Sequence, residues 1–449
     1  MNPNLKNYKV IPSVVEADKE STITVKCLDG NMRFFDDITY EVTFTPKDES
    51  DVPIDEQISL RGFNKSRKVF KIKPINGELK LTYNFKGEQE WIIHVSTREY
   101  KKHQNPLYEK YIPYWNSLIS FPENGVNLSV YSLKSDLYNK DVLIGDLHIH
   151  STKSDGDESP EYVAACYRKA GLDFIALTEH NVFNSSAAAK EKLSFIGDNF
   201  EIIQGEEVHN GYAGYFHMVN IGGDYSINDI YLSEPERIEA EVRELEKTTQ
   251  VPENLDKREY LHRVWLYNAI KKSGGYAIYP HPYWDIGYYH TQTKMSVAIL
   301  ENGLCDAYEI LGGCAPYENN MQVELYHELR AKGRKIPIVG STDSHSHLGF
   351  FKRASTVVFA DNGIIDAISN GNSVAVESLQ NENTRVYGDL RLVTYTHFLL
   401  KNYFPIHDER CFASGILLED YVHAEEELKE MIEKSEERIS QYKKEFFGR

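Results

Sequence analysis

The sequence predicts an α/β barrel preceded by an all-β sandwich and followed by a helical extension, and three observations point there. Residues 1–140 alternate apolar and polar positions over short runs separated by turn-forming residues. From 141 onward the rhythm becomes apolar run, loop, helix, which predicts a largely parallel sheet or barrel. Several of those runs end in histidine, the pattern expected of a metal site at the mouth of an α/β barrel.

At 449 residues the chain has room for two or three domains, and the composition divides it into 1–140, 141–380 and 381–449. A net charge of −18 argues against a broad electrostatic grip on nucleic acid. The five cysteines form no Cys-x-x-Cys pair and suit a reducing compartment. No apolar run approaches the roughly twenty residues that span a bilayer, and the first residues lack the apolar core of a signal peptide. The expected location is the cytoplasm, with no membrane partner.

In the first segment, strand-like runs fall at Thr22–Cys27, Ile38–Phe44, Val69–Ile72, Leu79–Phe85 and Trp91–Val95. Turns such as Asp29-Gly30-Asn31 and Asn76-Gly77 separate them, and short strands so spaced predict an antiparallel sandwich. Asn-Gly between apolar runs predicts a hairpin. Of the sixteen histidines only His94 and His103 lie here, so the segment reads as structural. Tyr108, Tyr111, Tyr114 and Trp115 read as packing in a connector, before a last strand at Val126–Leu133.

Beyond 141 the strand-like runs are Val142–Leu147, Phe174–Leu177, Ile202–Gln204, Phe216–Ile221, Tyr276–Tyr279, Ala307–Leu311, Ile336–Val339 and Ser355–Phe359. Ser159-Pro160 opens a helix over Glu161–Ala170 that Gly171 ends: a cap, a first-turn proline and a terminating glycine. Helices also read over Tyr260–Lys272 and Asn319–Lys332, each followed by glycine. The charged stretch Ser233–Arg258 predicts an inserted, solvated helix and a loop. Leu390–Leu400 predicts a helix packed on the barrel. In the tail, Tyr421, Leu428, Ile432, Ile439, Tyr442 and Phe446 recur at the spacing of an amphipathic helix.

Asp146-Leu147-His148-Ile149-His150-Ser151 closes the first of the barrel runs. On a strand, positions i and i+2 point the same way, so His148 and His150 share a side. The second run ends in Thr178-Glu179-His180, the third leads into Glu206, Glu207 and His209, and His217 opens the fourth. Pro280-His281 follows the fifth. Ser341-Thr342-Asp343-Ser344-His345 follows the seventh and repeats the i, i+2 spacing. Eleven of the sixteen histidines lie between His148 and His347.

These blocks resemble those of the PHP family, named after polymerase and histidinol phosphatase, over about residues 142–375. The resemblance implies a distorted (β/α)7-type PHP barrel with a site for two or three divalent metals. Carried over residue by residue, it implies His148, His150, Asp155, His180, Glu207, His217, His281, Asp343 and His345 as ligands. The family's second block has Asp where this chain has Glu179, a departure that leaves the following histidine in place. Glu206 beside Glu207 leaves open which carboxylate bridges two metals; the Gly-x-Glu pattern and the step to His217 favour Glu207. A β-sandwich before such a barrel also occurs in some PHP-like metallohydrolases, including ones that cleave carbamate esters.

Imidazole and carboxylate donors without thiolates suit Zn²⁺, Mn²⁺ or Fe²⁺. Two such ions about 3.5–4 Å apart can hold a bridging hydroxide as nucleophile, so no Ser or Cys nucleophile is required. The expected function is therefore a metal-dependent hydrolase, foremost a phosphoesterase acting on a small-molecule phosphoester. A first alternative keeps the site but cleaves carbamates, amides or carboxylic esters. A second is a non-catalytic metal-binding regulatory module, which nine retained ligands disfavour. His209 reads as a supporting or a catalytic group. Tyr283, Trp284, Tyr288 and Tyr289, on the loop after His281, read equally as a surface for a substrate ring or as packing. Lys352-Arg353 reads as a solvated pair, and Gly222-Gly223 and Gly312-Gly313 as loop glycines.

Overall fold

The computed structural model describes residues 4–28, 34–53, 68–97, 125–210, 216–348, 354–378, 384–423 and 426–449. The expected turn at Asp29-Gly30-Asn31, the connector aromatics Tyr108, Tyr111, Tyr114 and Trp115, His103, and Lys352-Arg353 lie outside the described residues. The chain forms two compact units. One is Met1–Lys140 with Thr394–His407 and Arg438–Arg449; the other is Asp141–Val393 with Asp408–Glu437.

In the first unit the strands are β1 (Tyr8–Ile11), β2 (Val14–Glu16), β3 (Glu20–Cys27), β4 (Tyr40–Pro46), β5 (Phe70–Ile72), β6 (Glu78–Asn84), β7 (Gln89–Ser96) and β8 (Val126–Leu133). They make a three-stranded sheet, β1-β3-β6, and a five-stranded sheet, β2-β8-β7-β4-β5. Alternation decides which residues go inside: Ile23, Val25, Leu79 and Leu81 from one sheet meet Val42, Phe44, Ile93 and Val95 from the other in a single core. Phe44 stacks on Tyr83 across it, with ring centroids 4.2 Å apart. β2 and β8 are parallel. Asn76 and Gly77 do adopt the left-handed backbone of a tight turn, at φ 53° and 75°. Ile75 and Glu78 exchange both backbone hydrogen bonds across it, at 2.9 and 3.1 Å, so the two-residue hairpin turn forms as expected. Beyond that pair the strands separate, β5 into the larger sheet and β6 into the smaller.

In the second unit the strands are β9 (Asp141–Ile149), β10 (Phe174–Leu177), β11 (Glu201–Asn210), β12 (Phe216–Ile221), β13 (Tyr276–Tyr279), β14 (Ala307–Leu311), β15 (Ile338–Gly340), β16 (Ala354–Ala360), β17 (Ser373–Glu377) and β18 (Arg385–Tyr387). They form one ten-stranded sheet in the order β15-β14-β13-β12-β11-β10-β9-β16-β17-β18. The sheet is mixed rather than largely parallel as expected. β9, β10 and β11 run parallel, as do β13, β14 and β15. β12 is antiparallel to both its neighbours, and β16 to β9. The step from β11 to β12 is too short for a crossover helix, so the chain must turn straight back.

The sheet curls until its first edge returns to its middle. The segment after β15 makes a parallel bridge between Ser344 and Ile149, and the His150 amide donates to the Ser344 carbonyl at 2.9 Å. Gly340 N–H donates to the Thr356 hydroxyl at 3.0 Å. Leu147, Ala176, Ile203, Val219, Ile278, Ala307 and Val339 come one from each of β9 to β15 and share one buried cluster. Faces pointing the other way, including Val208, Met218, Tyr279 and Ile310, pack under helices.

Those helices follow the expected signals. Ser159 accepts from the Tyr162 amide at the start of helix Pro160–Lys169, and Asp256 caps helix Lys257–Lys272. The charged insertion is helix Pro235–Leu245, which buries Ile238 and Val242 and leaves its charges outward. The C-terminal stretch forms helices Leu390–Asn402, Phe404–Val422 and Lys429–Phe447, and is shared between the two units. No helix among the described residues is long and apolar enough to cross a membrane.

Candidate metal centre

Strand ends bring the expected donors together. His148 and His150 straddle Ile149 on β9, and Asp343 and His345 straddle Ser344, the residue bridged to Ile149. The two i, i+2 pairs therefore lie side by side. His148 Nε2 is 3.2 Å from Asp343 Oδ1, and the rings of His150 and His345 stack at 4.2 Å. A second bridge, His180 to Glu207, places the residue after β10 beside β11.

Glu207 sits at the centre, its carboxylate almost fully buried. One oxygen faces His148 Nε2, His150 Nε2 and His180 Nδ1 at 3.3, 3.4 and 3.3 Å. The other faces His217 Nδ1 at 2.7 Å and His281 Nε2 at 3.1 Å. Glu206 points to the opposite face of the strand, as alternation requires. There its carboxylate accepts from Asn220 Nδ2, Ser226 Oγ, Asn228 Nδ2 and the Ile227 amide at 2.6–3.0 Å. It serves the fold and does not reach the cluster.

All nine expected donors fall into three adjoining groups: His150, Asp155, His180 and His345; His148, His150, Glu207 and Asp343; and Glu207, His217 and His281. Within each group the candidate ligand atoms lie within 4.8 Å of one another. Such a cluster can hold metal ions. His148 Nε2 and His180 Nδ1 are buried, without hydrogen-bond partners, yet only 3.2–3.3 Å from carboxylate oxygens. Imidazole nitrogens and anionic oxygens crowded together in a buried place are what a cation would satisfy.

The electrostatics follow from burial and crowding. Burial works against charging His150, but the Asp343 and Glu207 carboxylates hold its imidazolium up to about 9. Burial likewise opposes ionising Glu207, and His217 and His148 overcome it, keeping the carboxyl well below its usual range. At His180 desolvation wins and lowers the ring to about 4. Asp155 is the most open member, half-exposed at the rim. Two donors sit on left-handed backbone, His281 at φ 25° and Asp343 at φ 48°. Non-glycine residues pay about 1–3 kcal/mol for this and keep it where surrounding structure compels it.

His209 lies beside the groups but in none of them. Its ring is 4.7 Å from that of His217 and 5.2 Å from that of His180, and burial lowers its pKa. Glu179 is not a donor to the cluster either. It accepts from the Ser151 amide and from the Ser151 and Ser154 hydroxyls, which shapes the loop leading to Asp155. Gly313 is needed for close approach, since a Cβ there would sit 2.1 Å from the Thr342 carbonyl oxygen, next to Asp343. Trp284 lies against the cluster, its ring 5.7 Å from His281, while Tyr283 is buried and Tyr288 points to solvent.

Three residues without an assigned role belong to the site. Glu309, fully buried on β14, accepts from or faces His148 Nδ1 at 3.0 Å and sets that ring's orientation. A lone carboxylate inside the apolar run Ala307–Leu311 was the available signal. Asp146 accepts from the Thr342 hydroxyl and amide and from the His148 amide, tying β9 to the segment that carries Asp343. Burial pushes its carboxyl up to about 7. His290 packs its ring 4.6 Å from His217. Partners that orient a ligating imidazole are typically worth about 10–100-fold in metal affinity. Glu309→Gln is expected to weaken Mn²⁺ binding by about that factor with little change in thermal stability, as read by titration calorimetry.

No family model matches the chain, and no curated protein matches it. Among solved structures it is similar to a two-domain protein from Bacteroides vulgatus described as containing a predicted PHP-like metal-dependent phosphoesterase. Identity is 21%, over 53% of this chain and 65% of that one, with a TM-score of 0.37. The chain thus spans just under two thirds of that relative's length. It is also similar to a candidate metal-dependent phosphoesterase from Bifidobacterium adolescentis (17% identity, 46% and 88% coverage, TM-score 0.33). A third is an amidohydrolase from Chromobacterium violaceum with bound sulfate and no metal (16% identity, 49% and 92% coverage, TM-score 0.33).

Proposed function

We propose that the protein is a PHP-type metal-dependent phosphoesterase, with β9 to β15 as its (β/α)7-type barrel and the nine clustered donors as ligands for two or three divalent ions. The observation that supports this most is Glu207, whose two oxygens face five imidazoles from different strand ends. Bound divalent cations would supply Lewis-acid charge and an activated water at neutral pH. Glu207 is the proposed bridging carboxylate. Asp155 and His345, the more exposed donors, mark the side from which a substrate approaches. His209 is the proposed proton-exchanging group, since burial favours its neutral form. Three adjoining cation groups suit a phosphate, which carries two negative charges and several oxygens to share among them. A neutral carbamate or carboxylic ester calls for fewer, and is the second reading.

The test is a turnover screen of the Mn²⁺-loaded protein on p-nitrophenyl phosphate, bis(p-nitrophenyl) phosphate and an aryl carbamate, with metal content measured in parallel. Phosphomonoester turnover that is lost on chelation and in His150→Ala is expected. Turnover of the carbamate only would overturn the phosphoesterase reading. Fewer than two metals per chain, with activity unaffected by His150→Ala, would overturn the metal mechanism.

A further inference from the structure

We propose that the short hairpin after His281 carries a subsite for an aromatic ring, with Trp284 as its stacking face. On the phosphoesterase reading above, on which this rests, it would make the centre selective for phosphate esters of aromatic alcohols.

Pro282–Thr291 is a tightly fastened loop. Asp285 and Tyr289 form an antiparallel bridge. The His290 amide donates to the Trp284 carbonyl at 2.8 Å, and the Thr291 amide to the Pro282 carbonyl at 3.0 Å. The loop is also anchored to the start of helix Pro316–Ala331, where Glu318 accepts from the Asp285 amide at 2.7 Å and Tyr317 donates to Asp285 at 3.0 Å. A hairpin held this firmly nevertheless leaves large apolar side chains in water. Trp284 is 37% exposed, Ile286 38% and Tyr288 70%. A loop backbone fixed before anything binds lowers the cost of presenting its exposed aromatic side chain to a ligand.

Its position says which ligand. The Trp284 ring lies 5.7 Å from that of His281 and 6.2 Å from that of His217, both members of the Glu207 group. A group bonded directly to a phosphate in the cluster would therefore reach Trp284. The two carboxylates nearest Trp284 in the loop and its anchor are already engaged by backbone amides and a tyrosine hydroxyl. Asp285 accepts from the Gly287 amide and the Tyr317 hydroxyl, and Glu318 from the Asp285 and Ala315 amides. What the hairpin offers beside Trp284 is ring face and the apolar edge of Ile286, with Tyr288 and Tyr289 exposed further along and the buried His290 ring 5.6 Å behind. Hydrolysis of such an ester gives the phenol and inorganic phosphate: water adds its oxygen to phosphorus, and the departing ester oxygen takes up a proton.

Calorimetric binding of phenylphosphonate, cyclohexylphosphonate and methylphosphonate to the Mn²⁺-loaded full chain tests this without requiring turnover. Wild type is expected to prefer phenyl over methyl by about tenfold, the scale of one stacked ring pair. Trp284→Ala should lose the preference while keeping its metal content, and Trp284→Phe should retain most of it. Equal affinity for phenyl and methyl in wild type, an unchanged preference in Trp284→Ala, or cyclohexyl binding as tightly as phenyl would each overturn the aromatic subsite. Turnover of phenyl and methyl phosphates is read separately. Equal turnover of both, with Trp284→Ala neutral, sinks the subsite and leaves the phosphoesterase standing. No turnover of either, with the phenyl preference intact, does the reverse.

Discussion

Glu207→Gln is expected to empty the centre of most of its metal and to lower turnover on the order of a thousandfold, about 4 kcal/mol of transition-state stabilisation. The carboxylate serves two of the three donor groups, so its loss removes charge from both at once. A glutamine keeps the shape but offers one weak acceptor oxygen where two anionic ones stood. Its sequence neighbour gives the control. Glu206→Gln places an amide against a ring of buried donors, including Asn220, Ser226 and Asn228. Hydrogen bonds to a charged group are worth about 1.5–3 kcal/mol each, so this variant should unfold at lower temperature while binding metal normally. Metal analysis and thermal unfolding of the two variants check both halves. If Glu206→Gln lost metal and Glu207→Gln kept it, the assignment would be reversed.

A comparably large effect is expected on stability from Glu436→Ala. Arg168 is completely buried in helix Pro160–Lys169. Its Nη2 donates to Glu436 Oε2 at 2.7 Å and its Nε to Oε1 at 3.1 Å, while Nη1 reaches Asp173 at 3.2 Å and the Leu172 carbonyl at 2.9 Å. Ser414 donates to the same Glu436 carboxylate at 2.6 Å. Removing one partner of a buried pair strands the other charge in a low-dielectric interior and costs about 3–5 kcal/mol. Arg168→Met combined with Glu436→Leu and Asp173→Asn should cost less than Glu436→Ala does, because no charge of the cluster is left behind. Urea unfolding of the three proteins measures this, and a Glu436→Ala loss below about 1 kcal/mol would show that water reaches Arg168.

Much of the fold was legible because short apolar runs bounded by turn residues were read directly: β8, β10, β12, β13 and β14 have the bounds expected. The direction of β12 was not legible, since periodicity reports which face is buried and says nothing about pairing sense. β1, β2, β17 and β18 were missed, three of them being only three or four residues long. The donors could be found because histidine is conspicuous at a strand end. Glu309 and Asp146 were harder, because a buried carboxylate acting on another residue carries no motif of its own. Glu206 and Glu207 show the limit well: alternation states that they face opposite ways, and only the register of β11 against β10 and β12 says which faces inward.

The bridge between Ile149 and Ser344 gives the proposed cations a second task. The curl of the sheet is completed there, and His148, His150, Asp343 and His345 flank that junction. An ion shared between those pairs would act as a rivet through the join, clamping the last barrel strand to the first. Chemistry and closure would then draw on the same ions, which would reinforce the hydrogen bonds from His150 to Ser344 and from Thr342 to Asp146 that already hold the join.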